Sequence, residues 1–257
     1  MKGYISAKSL TVTYENKNRV VAVKNLSFSI AAGELVAIVG PSGCGKSTTL
    51  NIIAGFIKPN EGEILLDNKK ITSPGPDRGV VFQNYELFPW KTVFQNIEFG
   101  PKMGGMKKDE REKLVEEYIR RIKLKEFKNC FPFEISAGMA QRVALARVLI
   151  NNPAVILLDE PFGSVDAQTR IEMEELLLEI WEEYRRTIII VTHDIDEAIF
   201  LSDRIIVMTA LPGTLKRELV VPLPRPRTYE VTSTSEFANL KLELYALIKE
   251  EILKNPN

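Results

Sequence analysis

Histidine and cysteine are almost absent from this chain: 257 residues include one histidine and two cysteines. Cys44 and Cys130 stand in no metal-ligand spacing, so a disulfide framework and a His/Cys zinc site are both excluded, leaving two unpaired thiols. Net charge is missing too, with 34 Lys+Arg against 34 Asp+Glu. That balance speaks against a nucleic-acid binder, which needs a basic face. Long apolar runs are also lacking. Residues 154–158 and 188–191 are strand-length, far short of the roughly 20 residues that cross a bilayer. Met1-Lys2-Gly3-Tyr4 leads into polar residues rather than an apolar signal segment. The chain is therefore expected to stay in the cytosol and to reach a membrane only through a partner.

The chain does contain a hydrophobic content of 45%, ordinary for a packed core, and length enough for one large α/β domain with a small satellite. Residues 10–30 alternate apolar and polar, as in Leu10, Val12, Tyr14 and then Val21, Val23, Leu26, Phe28, Ile30. This predicts antiparallel strands joined by a turn at Glu15-Asn16-Lys17-Asn18. Residues 34–39 read as a buried strand, 46–54 as a helix closed by Gly55, and 62–67 and 79–82 as further strands. From about 91 to 150 helical periodicity takes over, with Leu114, Val115, Tyr118, Ile119 and Ile122 on one face of a charged segment. Strand and helix then alternate again: strands at 154–159, 187–192 and 204–208, helices at 168–184 and 195–201. Such alternation with continuous Val/Ile/Leu strands implies a parallel sheet covered on both faces. The proline-rich stretch 219–227 is expected to run along the surface, and 237–253 to close the chain as a helix carrying Leu240, Leu242, Leu244 and Ile248. No internal repeat is present.

Gly40-Pro41-Ser42-Gly43-Cys44-Gly45-Lys46-Ser47-Thr48 fits the phosphate-binding loop pattern in full, between a buried strand and an apolar helix. Glycines let backbone N–H groups turn towards phosphate oxygens, and the helix start adds unpaired donors. Lys46 supplies a cation for the β- and γ-phosphates, and Ser47 a hydroxyl for Mg²⁺.

A second apolar strand ends in Asp159-Glu160. Carboxyl ends of parallel strands face the ligand crevice. Asp159 is expected to hold Mg²⁺, and Glu160 either to deprotonate an attacking water or to cap the turn at Pro161. His193 also follows a buried strand, where it either hydrogen-bonds a γ-phosphate or simply starts a helix beside Asp194.

Taken together, these residues resemble the nucleotide-binding subunits of ABC transporters over nearly the whole chain. Tyr14 sits where that family stacks an aromatic on adenine; 40–48 resembles its phosphate loop; Gln83 its Mg²⁺-touching glutamine; and 156–160 its second phosphate-loop element. Ser136-Ala137-Gly138-Met139-Ala140-Gln141-Arg142 is similar to its signature motif, departing from Leu-Ser-Gly-Gly-Gln at Ile135, Ala137 and Met139. Ser164-Val165-Asp166 resembles its D-loop and His193 its switch histidine. The resemblance implies an α/β P-loop NTPase core with a mainly parallel sheet, an N-terminal antiparallel β subdomain and an inserted helical subdomain. Residues 1–230 form the nucleotide-binding domain on this reading, with about 91–150 inserted and 231–257 a helical extension. It implies ATP and Mg²⁺ as ligands, with Glu160, His193 and Gln83 catalytic. It also implies a head-to-tail homodimer in which the signature segment, with Ser136, reaches the partner's ATP, and it counts Gly138 and Asp166 among the nucleotide-binding residues. A membrane permease is implied as docking partner, with a solute-binding protein acting indirectly and no nucleic acid. The chain then lies in the cytoplasm, peripheral on the inner face of the membrane.

The run Tyr85-Glu86-Leu87-Phe88-Pro89-Trp90 reads either as core packing of the helical insertion or as a groove for a permease helix. With Leu211-Pro212-Gly213 and the 221–227 stretch it resembles the nitrate/sulfonate/taurine importer branch, which also includes relatives serving vitamin precursors. The alternative is an ABC-type ATPase acting on ribosomes or DNA. It is disfavoured by the single cassette, the missing heptads and the missing basic excess.

Overall fold

The computed structural model describes residues 2–15, 19–163 and 165–254. In chain order the elements are β1 (Ile5–Glu15), β2 (Arg19–Ile30), β3 (Leu35–Val39), α1 (Lys46–Ala54), β4 (Glu61–Leu66), β5 (Lys69–Lys70), β6 (Arg78–Val81), α2 (Val93–Met103) and α3 (Lys108–Arg121). There follow α4 (Ala137–Leu149), β7 (Val155–Asp159), α5 (Ala167–Tyr184), β8 (Thr187–Val191), α6 (Ile195–Leu201), β9 (Arg204–Met208), β10 (Leu215–Val220) and α7 (Ser235–Lys254). The turn expected at 15–18 falls largely outside the described residues. The chain forms two compact units, one of residues 1–75 with 174–257 and one of 76–173.

The first unit holds an antiparallel sheet in the order β2-β1-β4-β5. It is built by the alternation of buried Ile5, Ala7, Leu10 and Val12, interrupted by a bulge where Ser9 takes φ 50°. The same unit carries β3 between β8 and β9, both parallel to it. β3 and β8 are buried at every position, which explains their unbroken apolar sequence. β10 adds an antiparallel edge to β9. This strand is absent from the sequence-based expectation. Beyond it, 221–227 does not lie simply on the surface as expected: Val221, Leu223 and Arg227 are buried in alternation. Arg227 stitches the segment down by donating to the carbonyls of Ile199, Phe200, Ser202, Val221 and Leu223. On α7 the buried side chains are Phe237, Leu244 and Glu251; Leu242, expected among the apolar face, is 67% exposed.

The second unit pairs β6 with β7 in parallel and packs α2, α3 and α4 around Val93, Ile97, Val115, Ile119, Val143 and Ala146. Thr92 and Gln95 close α2 with a reciprocal capping box. Among the described residues no helix is long and apolar enough to cross a membrane.

Candidate nucleotide site

In the first unit β3 delivers the chain into residues 40–45, and α1 starts at Lys46. The turn needs glycine for two separate reasons. Gly43 and Gly45 adopt φ 75° and 97°. A Cβ on Gly40 would stand 2.8 Å from Cys44 Sγ and 3.0 Å from Met208 O, so packing alone excludes a side chain there. No side chain caps α1, and its first turn carries no acid. The positive end of the helix thus faces no side-chain cap and no acid, which suits it to an anion.

Lys46 is buried, and its ammonium donates to Gly40 O at 2.9 Å and Pro41 O at 3.0 Å. A buried cation bonded to neutral carbonyls at the start of a helix is suited to phosphate oxygens. Burial pushes the neighbouring Cys44 thiol up, although the Lys46 charge opposes it. Tyr14 shares a hydrogen bond with Thr48 Oγ1 at 3.2 Å, so the end of β1 is tied to the start of α1. β8 runs parallel to β3 in the register Ile38↔Val191, and Thr192 N–H donates to Ile38 O at 3.3 Å. The exposed His193 therefore emerges at the same sheet edge as the phosphate loop. Asp194 caps α6 immediately after it.

The second unit carries the other expected residues. The register Val81↔Leu158 places Gln83 and Glu160 at matching positions, each two residues past that pair. Gln83 Nε2 donates to Glu160 Oε2 at 3.3 Å. Glu160 has φ 45°, a left-handed conformation that costs a non-glycine residue energy and concentrates at functional positions. Asp159, half-buried, ends β7 just before it. Ser136 caps α4 by accepting Met139 N–H at 3.3 Å. Gly138 is buried where a Cβ would meet Thr169 Cγ2 at 2.4 Å. Asp166 accepts from Thr169 N–H and Oγ1, bonds that hold its carboxyl below the usual range. Ser164 lies outside the described residues.

A groove of about 1110 Å³ in this unit is lined by Arg78, Phe82, Phe88, Phe99, Met103 and Arg147 among others. The loop beside it is held by two residues not singled out from the sequence. Buried Asn96 bonds Phe88 N–H and the carbonyls of Phe88, Lys91 and Thr92. Arg147 donates to Glu86 O and Tyr85 O and lies over the Phe88 ring. Neither has a local sequence signal, because every partner depends on the fold. Trp90, on that loop, is 71% exposed.

Fold and phosphate loop together define the class: an α/β P-loop nucleotide hydrolase. Comparison with known proteins narrows it. The ABC transporter family model matches residues 23–163. An uncharacterised ABC transporter ATP-binding protein of Methanocaldococcus jannaschii is 43% identical over 256 residues, covering 99% of this chain and 95% of its own. A nitrate import ATP-binding protein of Synechocystis is 44% identical over 239 residues, 91% of this chain and 90% of that protein. A taurine import ATP-binding protein of Roseobacter denitrificans is 45% identical over 220 residues, 85% and 82% of the two chains. Among solved structures, a dimeric ATP-binding cassette in a post-hydrolysis state with ADP and phosphate aligns with TM-score 0.75 and 37% identity, covering 86% of this chain and all of that one. The chain belongs to the ABC transporter family. It is an ATP-binding cassette that hydrolyses ATP.

Proposed function

We propose that this cassette powers import of a small solute through a separate membrane permease, with nitrate, a sulfonate or taurine, or a vitamin precursor as the solute class. Lys46 and the amides of 40–48 bind the phosphates, and Tyr14 stacks on adenine. Ser47, Asp159 and Gln83 hold Mg²⁺, which when bound neutralises charge on the phosphate oxygens. Glu160 takes a proton from the attacking water while Gln83 and His193 orient the reacting groups. Ser136, Gly138 and Asp166 serve the nucleotide of a second copy, so the working form is a homodimer that closes on ATP and reopens after hydrolysis.

The observation that carries the catalytic part is the Gln83–Glu160 hydrogen bond beside the strained Glu160 backbone. The aromatic groove with Trp90 at its margin supports a permease helix as docking partner. The protein then lies on the cytoplasmic face of the membrane, and a solute-binding protein delivers the cargo to the permease. Affinity purification from membranes solubilised in detergent tests this. An integral membrane protein in stoichiometric amount is expected; ribosomal or nucleic-acid partners in its place would overturn the transport reading.

A further inference from the structure

The phosphate loop leans on a wall that none of the roles above includes. Met208 ends β9, and residues 209–214 return the chain into β10. Thr209 fastens this return: its N–H donates to Thr214 O at 3.0 Å, and its hydroxyl donates to Pro212 O at 3.1 Å and accepts Thr214 N–H at 2.9 Å. Gly213 then joins β2, donating to Ala22 O and accepting from Lys24 N–H, both at 2.9 Å. A Cβ on Gly213 would fall 2.0 Å from Cys44 O and 2.7 Å from Met208 Cε. Gly45 leans on the same Ala22 carbonyl, 2.7 Å from where its Cβ would be, and a Cβ on Gly40 would stand 3.0 Å from Met208 O. Three points of the phosphate loop thus rest on Met208, Gly213 and Ala22.

The C-terminal helix holds that wall. Glu251, on α7, is 4% exposed, and its carboxylate accepts Ala210 N–H at 3.2 Å. Lys216 reaches the same carboxylate at 2.9 Å and Lys254 at 2.8 Å. Lys216 also donates to Leu247 O at 2.8 Å. A carboxylate buried to this degree is retained only when its partners are in place, so the end of α7 and the 209–214 return are fixed as one body.

We infer that Gly213 and Glu251 are positioning residues for nucleotide binding: acting through residues 208–213, they hold the phosphate loop and the Lys46 ammonium in the shape that receives a triphosphate. This inference rests on the phosphate-binding reading of residues 40–48. Neither residue touches the nucleotide, so loss of either weakens a preorganised grip more than it slows the chemical step.

The test compares ATP binding, steady-state hydrolysis and amide exchange at Gly45, Lys46 and Ser47 in Gly213→Ala, Glu251→Ala and Glu251→Gln. In Gly213→Ala and Glu251→Ala, Kd and KM for ATP should rise about fivefold or more, with kcat within about twofold and faster exchange at the three amides. Glu251→Gln keeps an oxygen for Ala210 N–H but sets an amide NH2 against Lys216 and Lys254, so it should fall between the parent and Glu251→Ala. Lys216→Met, which removes one partner of the carboxylate, should show the same signature at smaller size and serves if Glu251→Ala does not fold. Unchanged Kd and unchanged exchange in the folded variants overturn the inference. Lys46→Ala separates the two readings. If Lys46→Ala binds ATP like the parent, the phosphate-loop reading has failed; if it loses ATP while Gly213→Ala and Glu251→Ala keep full affinity, only the positioning role has.

Discussion

The side-chain amide of Gln83 reaches the Glu160 carboxylate across the mouth of a parallel strand pair, at 3.3 Å. The relationship follows from register: Val81 pairs with Leu158, so the residues two past that pair meet. A carboxylate pinned on a strained turn has its oxygens aimed before any ligand arrives. Glu160→Gln should therefore keep ATP affinity within about threefold and cut phosphate release by about 10²–10⁴. Equilibrium binding and a single-turnover phosphate assay measure the two separately. Full turnover in this variant would remove Glu160 as the base.

The start of the signature helix should tolerate no enlargement of Gly138. Thr169 could yield only by rotating its Cγ2 away, and that would break the Thr169 Oγ1–Asp166 hydrogen bond at 2.6 Å. Gly138→Ala gains about 1 kcal/mol of helix propensity but meets an overpacking cost of about 1–3 kcal/mol. The clash should win, lowering Tm by about 2–4 °C in thermal unfolding. Adding Thr169→Ser removes the methyl and keeps the hydroxyl, so the double variant should regain the loss.

Trp90 should matter to assembly and not to the isolated cassette. It is largely exposed on a loop fixed from below by Asn96 and Arg147. Trp90→Ala is expected to keep Tm and ATPase activity while reducing permease recovery in co-purification about tenfold or more. Asn96→Ala, by contrast, leaves a backbone N–H and carbonyls without their buried partner and should cost about 1–3 kcal/mol of stability.

Acid should loosen the C-terminal helix first. Burial alone would raise the Glu251 carboxyl, but bonds from Lys254, Lys216 and the Ala210 N–H outweigh it and hold it down to about 2, against an ordinary 4.5. A depressed carboxyl stabilises the fold above its unfolded value, and that contribution is lost as pH falls from about 4.5 towards 2. Thermal unfolding across this window should fall less steeply for Glu251→Gln than for the parent.

Much of the fold was legible from pattern alone. Continuous apolar runs in β3, β7 and β8 and the glycine spacing of 40–48 are local facts, and they place the strands, the turn between β3 and α1 and the residues at the strand ends. What escaped depends on distant partners. β10 carries Lys216, Arg217 and Glu218 in succession, with no apolar alternation; its strand conformation comes from pairing with β9. The 219–227 stretch reads as a surface lead-out because a buried arginine bonded to five carbonyls has no sequence signature. Leu240, Leu242 and Leu244 stand two apart, a spacing that cannot share one helix face, so Leu242 faces outward while Leu244 is buried.

The proposed working cycle closes two copies on ATP, each with its capped α4 serving the nucleotide of the other. The direct measurement is the solution mass of Glu160→Gln with and without Mg-ATP, alone and combined with Ser136→Arg. A dimer should appear only with nucleotide and disappear when Ser136→Arg is added, while ATP binding to the single chain persists. A species that remains a monomer with saturating ATP, or a dimer indifferent to Ser136→Arg, would contradict the cycle.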